Sequence, residues 1–174
     1  MEFRRNTLIA MRKLFAALFL TICGVARADS MIDTPDFKLN LPGDWVAERT
    51  KDASQHSYYS KQQDVGITAS SMHFKRGAPD LRRLADKLVE TRLAAENAAG
   101  RQYGLHMTIA EPIVVPFRQG YQVAYYGHDN KNRQFRYLGV VVDGRVVNIY
   151  VESNSKSQQE LEIQFNQLLK GLVI

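Results

Sequence analysis

An α+β fold built on an antiparallel sheet follows from three features of this sequence. Several short stretches alternate apolar and polar residues, as Phe37-Lys38-Leu39-Asn40-Leu41 does, which is the pattern of a half-buried strand. Two longer stretches repeat apolar residues at helical spacing, and the order is strands, helix, strands, helix, without βαβ alternation. Asp143-Gly144 is a two-residue turn between two strand patterns, a connection that only antiparallel neighbours can use. The expectation is an antiparallel sheet of about six strands packed with helices.

The opening strand covers 37–41, and Pro42-Gly43 turns the chain ahead of Trp45. Residues 57–61 and 65–74 form a hairpin around Gln62-Gln63-Asp64. Gly77-Ala78-Pro79 breaks the strand and Asp80 can cap the helix that follows, since 81–99 lack Pro and Gly. Leu81, Leu84, Leu88 and Ala95 give that helix its apolar stripe, and Gly100 suits the C′ position. Arg82/Asp86 and Arg92/Glu96, each four apart, are assigned to its wet side. Strands resume at 107–115, 121–128, 134–142 and 145–153. Ser157-Gln158-Gln159-Glu160 is a capping box opening a final helix whose stripe is Leu161, Phe165, Leu168 and Leu169.

The Asp143-Gly144 turn also fixes register, because a two-residue loop pairs 142 with 145 and so on outward. One face of the hairpin then carries Leu138, Val140, Val142, Val147, Ile149 and Val151 and must be core. The other carries Phe135, Tyr137, Val141, Val146, Asn148, Tyr150 and Glu152. Tyr137, Asn148, Tyr150 and Glu152 make this second face the candidate partner-binding patch, since Tyr buries large area while keeping a hydroxyl to pair. The competing account is that a helix covers this face and the hydroxyls only reach its edge.

The first 28 residues read as a secretory signal peptide. Arg12-Lys13 precede a 12-residue apolar run (14–25), and Ala26-Arg27-Ala28 forms an A-x-A cleavage site. Met11 serves as a start as well as Met1 does. Ile22 before Cys23 is too large for a lipoprotein signal, so cleavage is expected after Ala28, leaving residues 29–174 as a single periplasmic domain without a stable membrane anchor. That segment takes five of the 23 Lys and Arg residues and one of the 18 Asp and Glu residues, so the remainder carries only +1. No basic stripe survives for a nucleic-acid partner. Cys23 is the one cysteine, so the mature domain is expected to hold no disulfide, thiol nucleophile or thiolate metal site.

The stretches FKLNLPGDW (37–45) and VVVDGRVVNIYVES (140–153), followed by a helix ending in KGLVI (170–174), resemble the PsbP-like superfamily, which includes DcrB-type bacterial envelope proteins. The resemblance implies an α/β/α sandwich around an antiparallel sheet that binds other proteins without catalysis. It brings no catalytic residue with it.

Motifs that carry chemistry are weak here. His56, His73, His106 and His128 show no metal-ligand spacing, and Asp129-Asn130 is what a turn asks for. Ser153-Asn154-Ser155-Lys156 matches S-x-x-K but precedes its helix and lacks the companion motifs. Asp86 and Glu90 share a helix face with Arg82 and Lys87, a solvated charge pattern. No phosphate-binding glycine loop occurs, and no cofactor or metal is expected. The sequence therefore points to an exported non-enzymatic domain that binds a protein of the envelope or secretion machinery. A periplasmic immunity-type protein that neutralises a toxin, and a small-molecule-binding or hydrolytic domain, are the alternatives.

Overall fold

The computed structural model describes residues 29–75, 77 and 80–174. The expected signal peptide with Cys23, and Ala78-Pro79 of the strand breaker, lie outside the described residues. In chain order the elements are β1 (Ser30–Asp33), β2 (Lys38–Leu41), β3 (Trp45–Glu48), β4 (Gln55–Ser60), β5 (Val65–His73) and α1 (Leu81–Gln102). There follow β6 (Met107–Ile109), β7 (Ile113–Phe117), β8 (Gly120–Asp129), β9 (Gln134–Val142), β10 (Arg145–Ser153), α2 (Gln158–Leu169) and β11 (Leu172–Val173).

The main sheet has eight strands rather than about six, in the order β3-β4-β5-β10-β9-β8-β6, with β7 also paired to β8. Every pairing in it is antiparallel. The extra strands have a simple origin. The expected strand at 107–115 splits at Glu111-Pro112, where proline removes a ladder donor, so β6 and β7 share one edge of β8. Trp45 lies in a short strand of its own, its indole nitrogen donating to the Pro42 carbonyl at 3.1 Å. A second sheet, β1-β2-β11, joins the two ends of the described chain.

The turn at Asp143-Gly144 sets the expected register, from Val142↔Arg145 to Gln134↔Ser153. The apolar face of the hairpin packs with Ile67 and Ala69 of β5, under α2 and the small sheet, where Leu39, Leu41, Leu161, Phe165 and Leu168 close the core. α2 opens on its capping box, Ser157 and Glu160 each satisfying the other's backbone N–H. On the opposite face, Ala85 and Leu88 of α1 cover Val123, Tyr125, Tyr137 and Val141.

α1 departs from expectation in two respects. It runs three residues further, and Gly104, at φ +65°, takes the left-handed position assigned to Gly100. Gly100 is instead buried inside the helix, where a Cβ would stand 2.7 Å from Met107 Cγ. The inward stripe is also rotated. Ala95 is exposed, whereas Arg92 and Glu96 turn toward the sheet.

The helices are offset in opposite directions. α1 packs principally on β8, β9 and β6, and α2 on β9, β10 and β2. Among the described residues, therefore, no helix covers β4, β5 and part of β10 on one face, or β7 and part of β8 on the other.

Gly139 lies opposite Asn148 in β9, where a Cβ would come within 2.5 Å of the Tyr137 hydroxyl and 2.7 Å of Leu88 Cδ2. Gly139→Ala should therefore destabilise the domain by about 1–3 kcal/mol, as overpacking does, read from the midpoint of urea unfolding.

Candidate functional site

The four residues expected to form a partner patch all line one polar cavity of about 260 Å³ at the open flank of α1. Each is placed by local rules. Tyr137, Asn148, Tyr150 and Glu152 share a face because residues alternate along β9 and β10, and Tyr137 stands directly across from Tyr150. Thr68 and Ser70 of β5 extend the floor, since Asn148 pairs with Ser70 and Tyr150 with Thr68. Gln55 of β4, opposite Ser70, closes the far side. Arg92 overhangs from α1.

Tyr137 is 1% exposed and belongs to the core rather than to a free surface. Its ring stacks on Tyr125 at 4.8 Å, Leu88 and Arg92 cover it, and its hydroxyl donates to Asn148 Oδ1 at 2.7 Å. Tyr150 is half-buried, stacked 5.7 Å from Phe135. Asn148 and Glu152 are half-buried and border the cavity.

The residues that sequence reasoning missed are Arg92 and Glu96, placed there on the wet side. The guanidinium lies 4.8 Å from the Tyr137 ring centre and 5.9 Å from that of Tyr150. Its Nη2 meets Glu96 Oε1 at 2.9 Å, and Tyr125 donates to the same oxygen at 3.3 Å. The sheet beneath the C-terminal half of α1 carries three tyrosines, so a charged pair finds polar tips and ring faces there that an apolar floor would not supply. On the other side of Tyr150, Arg133 bridges Glu152 at 2.7 Å and Asp129 at 3.1 Å. Asp129 also accepts the backbone N–H groups of Lys131 and Arg133, which is turn chemistry. Burial opposes its charge, but these bonds and Arg133 hold its carboxyl below the usual range. Burial pushes the Tyr125 hydroxyl up to about 12, against the pull of Arg92, and raises Tyr137 and Tyr150 further.

The second open area is apolar. A groove of about 570 Å³ separates α2 from β7, with Ile113 and Ile163 on its walls and Ala124 and Tyr126 on its floor. Ile113 is 61% exposed, Ile163 53% and Tyr126 37%, and Val115, on the same face of β7, is 40% exposed. Arg136 lies between the Tyr126 and Phe165 rings and pairs with Glu162, while Glu111 stands exposed at the rim. The hydropathy of IVVPF was legible, but nothing in the sequence said that α2 would stop short of it.

Among the described residues, neither the Ser71/His73 pair nor the S-x-x-K stretch assembles a nucleophile with a base. Ser71 and His73 both bond Asp36 Oδ2, at 2.5 and 2.9 Å, so the carboxylate rather than the imidazole receives the serine proton. Ser153 Oγ accepts the N–H groups of Ser155 and Lys156 as a turn cap. Among the described residues no three His, Cys, Asp or Glu side chains group as a metal site, and no helix is long and apolar enough to cross a membrane.

Neither a family model nor a curated protein matches this sequence. Solved structures do match its fold. The solution structure of cyanobacterial PsbP (CyanoP) from Synechocystis sp. PCC 6803 aligns with a TM-score of 0.62 and 10% identity, over 87% of this chain and 96% of that one. A crystal structure from Bacteroides thetaiotaomicron VPI-5482 aligns with a TM-score of 0.42 and 11% identity, this chain spanning 47% of its length. The class defined by the first alignment is an α+β domain on an antiparallel sheet, and the fold is PsbP-like.

Two outcomes follow for the tyrosine face. Tyr137→Ala should cost about 3–5 kcal/mol, as other large buried aromatics do, measured by thermal or urea unfolding. The alkaline limb carries a sign of its own. Tyr125 has a folded value above its unfolded one, so its contribution is complete below pH 10 and is lost as pH rises from 10 through about 12. Absorbance at the tyrosinate band should therefore show Tyr125, Tyr137 and Tyr150, three of eight tyrosines, ionising at higher pH than an unperturbed tyrosine.

Proposed function

We propose that the domain is exported and non-enzymatic, and that it binds a protein of the envelope or secretion machinery through the groove beside β7. The observation that supports this reading is the clustering of Ile113, Tyr126 and Ile163, three exposed large apolar side chains in one groove with a polar rim, with exposed Val115 next along β7. Scattered apolar residues on a surface need no explanation, but a contiguous patch rimmed by polar groups marks an interaction site.

The groove also restricts what can lie in it. Among the described residues β7 pairs only with β8, so its outer edge carries no further strand there. Phe117 and Gly120 flank a two-residue loop and form a hydrogen-bonded pair, so alternation along β7 turns Val114 and Pro116 outward. Pro116 has no N–H to offer, which blunts this edge against an added strand. The fitting occupant is an amphipathic helix whose apolar side chains enter between Ile113 and Ile163. Glu111 and Glu162 at the rim, against Arg136 alone, favour a helix with basic flanks.

Ile113→Glu and Ile163→Glu alter exposed side chains and should leave the fold within about 0.5 kcal/mol of its stability. Each should lower capture of the partner from periplasmic extract by about tenfold or more. Val46→Glu, on the exposed side chain of β3, is the control and should capture as the unaltered protein does. Equal capture by the groove variants would remove the groove from this reading.

A further inference from the structure

We infer that the polar cavity beside α1 is a binding site for a carboxylate group. This inference is independent of the groove, which opens on the opposite face of the sheet. It rests on the donors that the surrounding structure leaves unspent.

Arg92 uses Nε toward the Tyr125 hydroxyl, at 3.4 Å, and Nη2 toward Glu96. Its Nη1 has no hydrogen bond among the described residues. Tyr137 donates to Asn148 Oδ1, which orients the carboxamide and leaves its NH₂ facing away from that bond. The Ser70 hydroxyl, the Gln55 amide and the Tyr150 hydroxyl also border the cavity without a hydrogen-bond partner among the described residues. Thr68 is already bonded to Ser57 at 2.9 Å. The unspent set thus combines one guanidinium nitrogen with neutral amide and hydroxyl donors.

The two carboxylates nearby are each already paired with an arginine. Glu96 takes Arg92 and Tyr125, while Glu152 takes Arg133 at 2.7 Å. A carboxylate fits this set of donors, because it only accepts, has two oxygens to share among several donors, and gains most from a charged one. The volume, about 260 Å³, lies below the range of about 300–1,000 Å³ typical of sites for drug-sized ligands, so the occupant is a small acid or the end of a side chain. Glu152 is the one like charge on the wall, and it weakens binding without blocking it.

The test follows the Asn148 and Gln55 side-chain amides and the Arg92 guanidinium by NMR during titration of the protein. Succinate and free glutamate are the small-acid probes. A short peptide with an internal Asp and blocked termini represents the same chemistry on a macromolecule. Sodium chloride at matched ionic strength is the reference. The expected result is saturable shifts confined to these groups, with a dissociation constant below about 50 mM. Saturation by small acids alone assigns the site to a free metabolite-sized ligand, and saturation by the peptide alone to a partner's side chain. Either outcome supports the site.

Asn148→Asp keeps an oxygen for Tyr137 but replaces the donor with a negative charge, and should weaken binding by about tenfold or more. Glu152→Gln removes the opposing charge and should strengthen it. An unchanged near-ultraviolet spectrum and melting temperature certify that both variants remain folded. The inference is overturned if no probe saturates, if the shifts match those of chloride, or if folded Asn148→Asp binds as tightly as the unaltered domain.

Discussion

Strands β9 and β10 are buried on both faces over most of their length, and such strands need two covering layers of different character. The turn at Asp143-Gly144 decides which side chains meet which layer. A slip of one residue would carry Tyr137 and Asn148 into the apolar space under α2, and Val140 and Ile149 under the charged half of α1. The polar tips would then be stranded without partners, at a cost of about 1–3 kcal/mol for each buried group. The rest of the molecule fits itself to that hairpin. α2 and the small sheet are apolar where they touch it, and α1 changes from Ala85 and Leu88 to Arg92 and Glu96 where the floor changes from aliphatic to hydroxylated.

The Arg92–Glu96 pair is better described as a consequence of that floor than as a source of stability. Withdrawing two charges from water is costly, and the pair is held because Tyr125 and the tyrosine rings share the work of solvating it. Because α1 leans one way and α2 the other, the sandwich is complete only over its middle strands. The two open quadrants differ in kind. One inherits the polar floor of β5 and β10, the other the apolar flank of β7 and α2.

Local rules were legible in the sequence. The Asp143-Gly144 hairpin, the Ser157/Glu160 box, the Asp80 cap and the Asp129 turn all depend on contacts within a few residues. Features decided by distant contacts were not. The i,i+4 spacing of Arg92 and Glu96 is the same on a wet face as on a covered one, and only the tyrosines beneath, some thirty residues later, turn it inward. Gly100 looked like a terminator because glycine usually is one, but the close approach of Met107 explains it. The strands β1 and β11 are too short for a periodicity to register, and they exist because β2 lies between them. The polar patch was placed correctly in register, yet its depth depended on a helix whose rotation the sequence did not show.

The small sheet has a consequence for when this domain can assemble. β2 finds its first neighbour in β1, a few residues away, but its second in Leu172–Val173, about 130 residues later. β5 likewise waits for β10 across the whole of α1 and four strands. Pairings so far apart along the chain make for slow, late folding, because loop closure must precede the contacts that compensate it. A chain with this topology spends its early life without its long-range sheet pairings. The exposed apolar strands of the waiting chain are what a chaperone would have to shield.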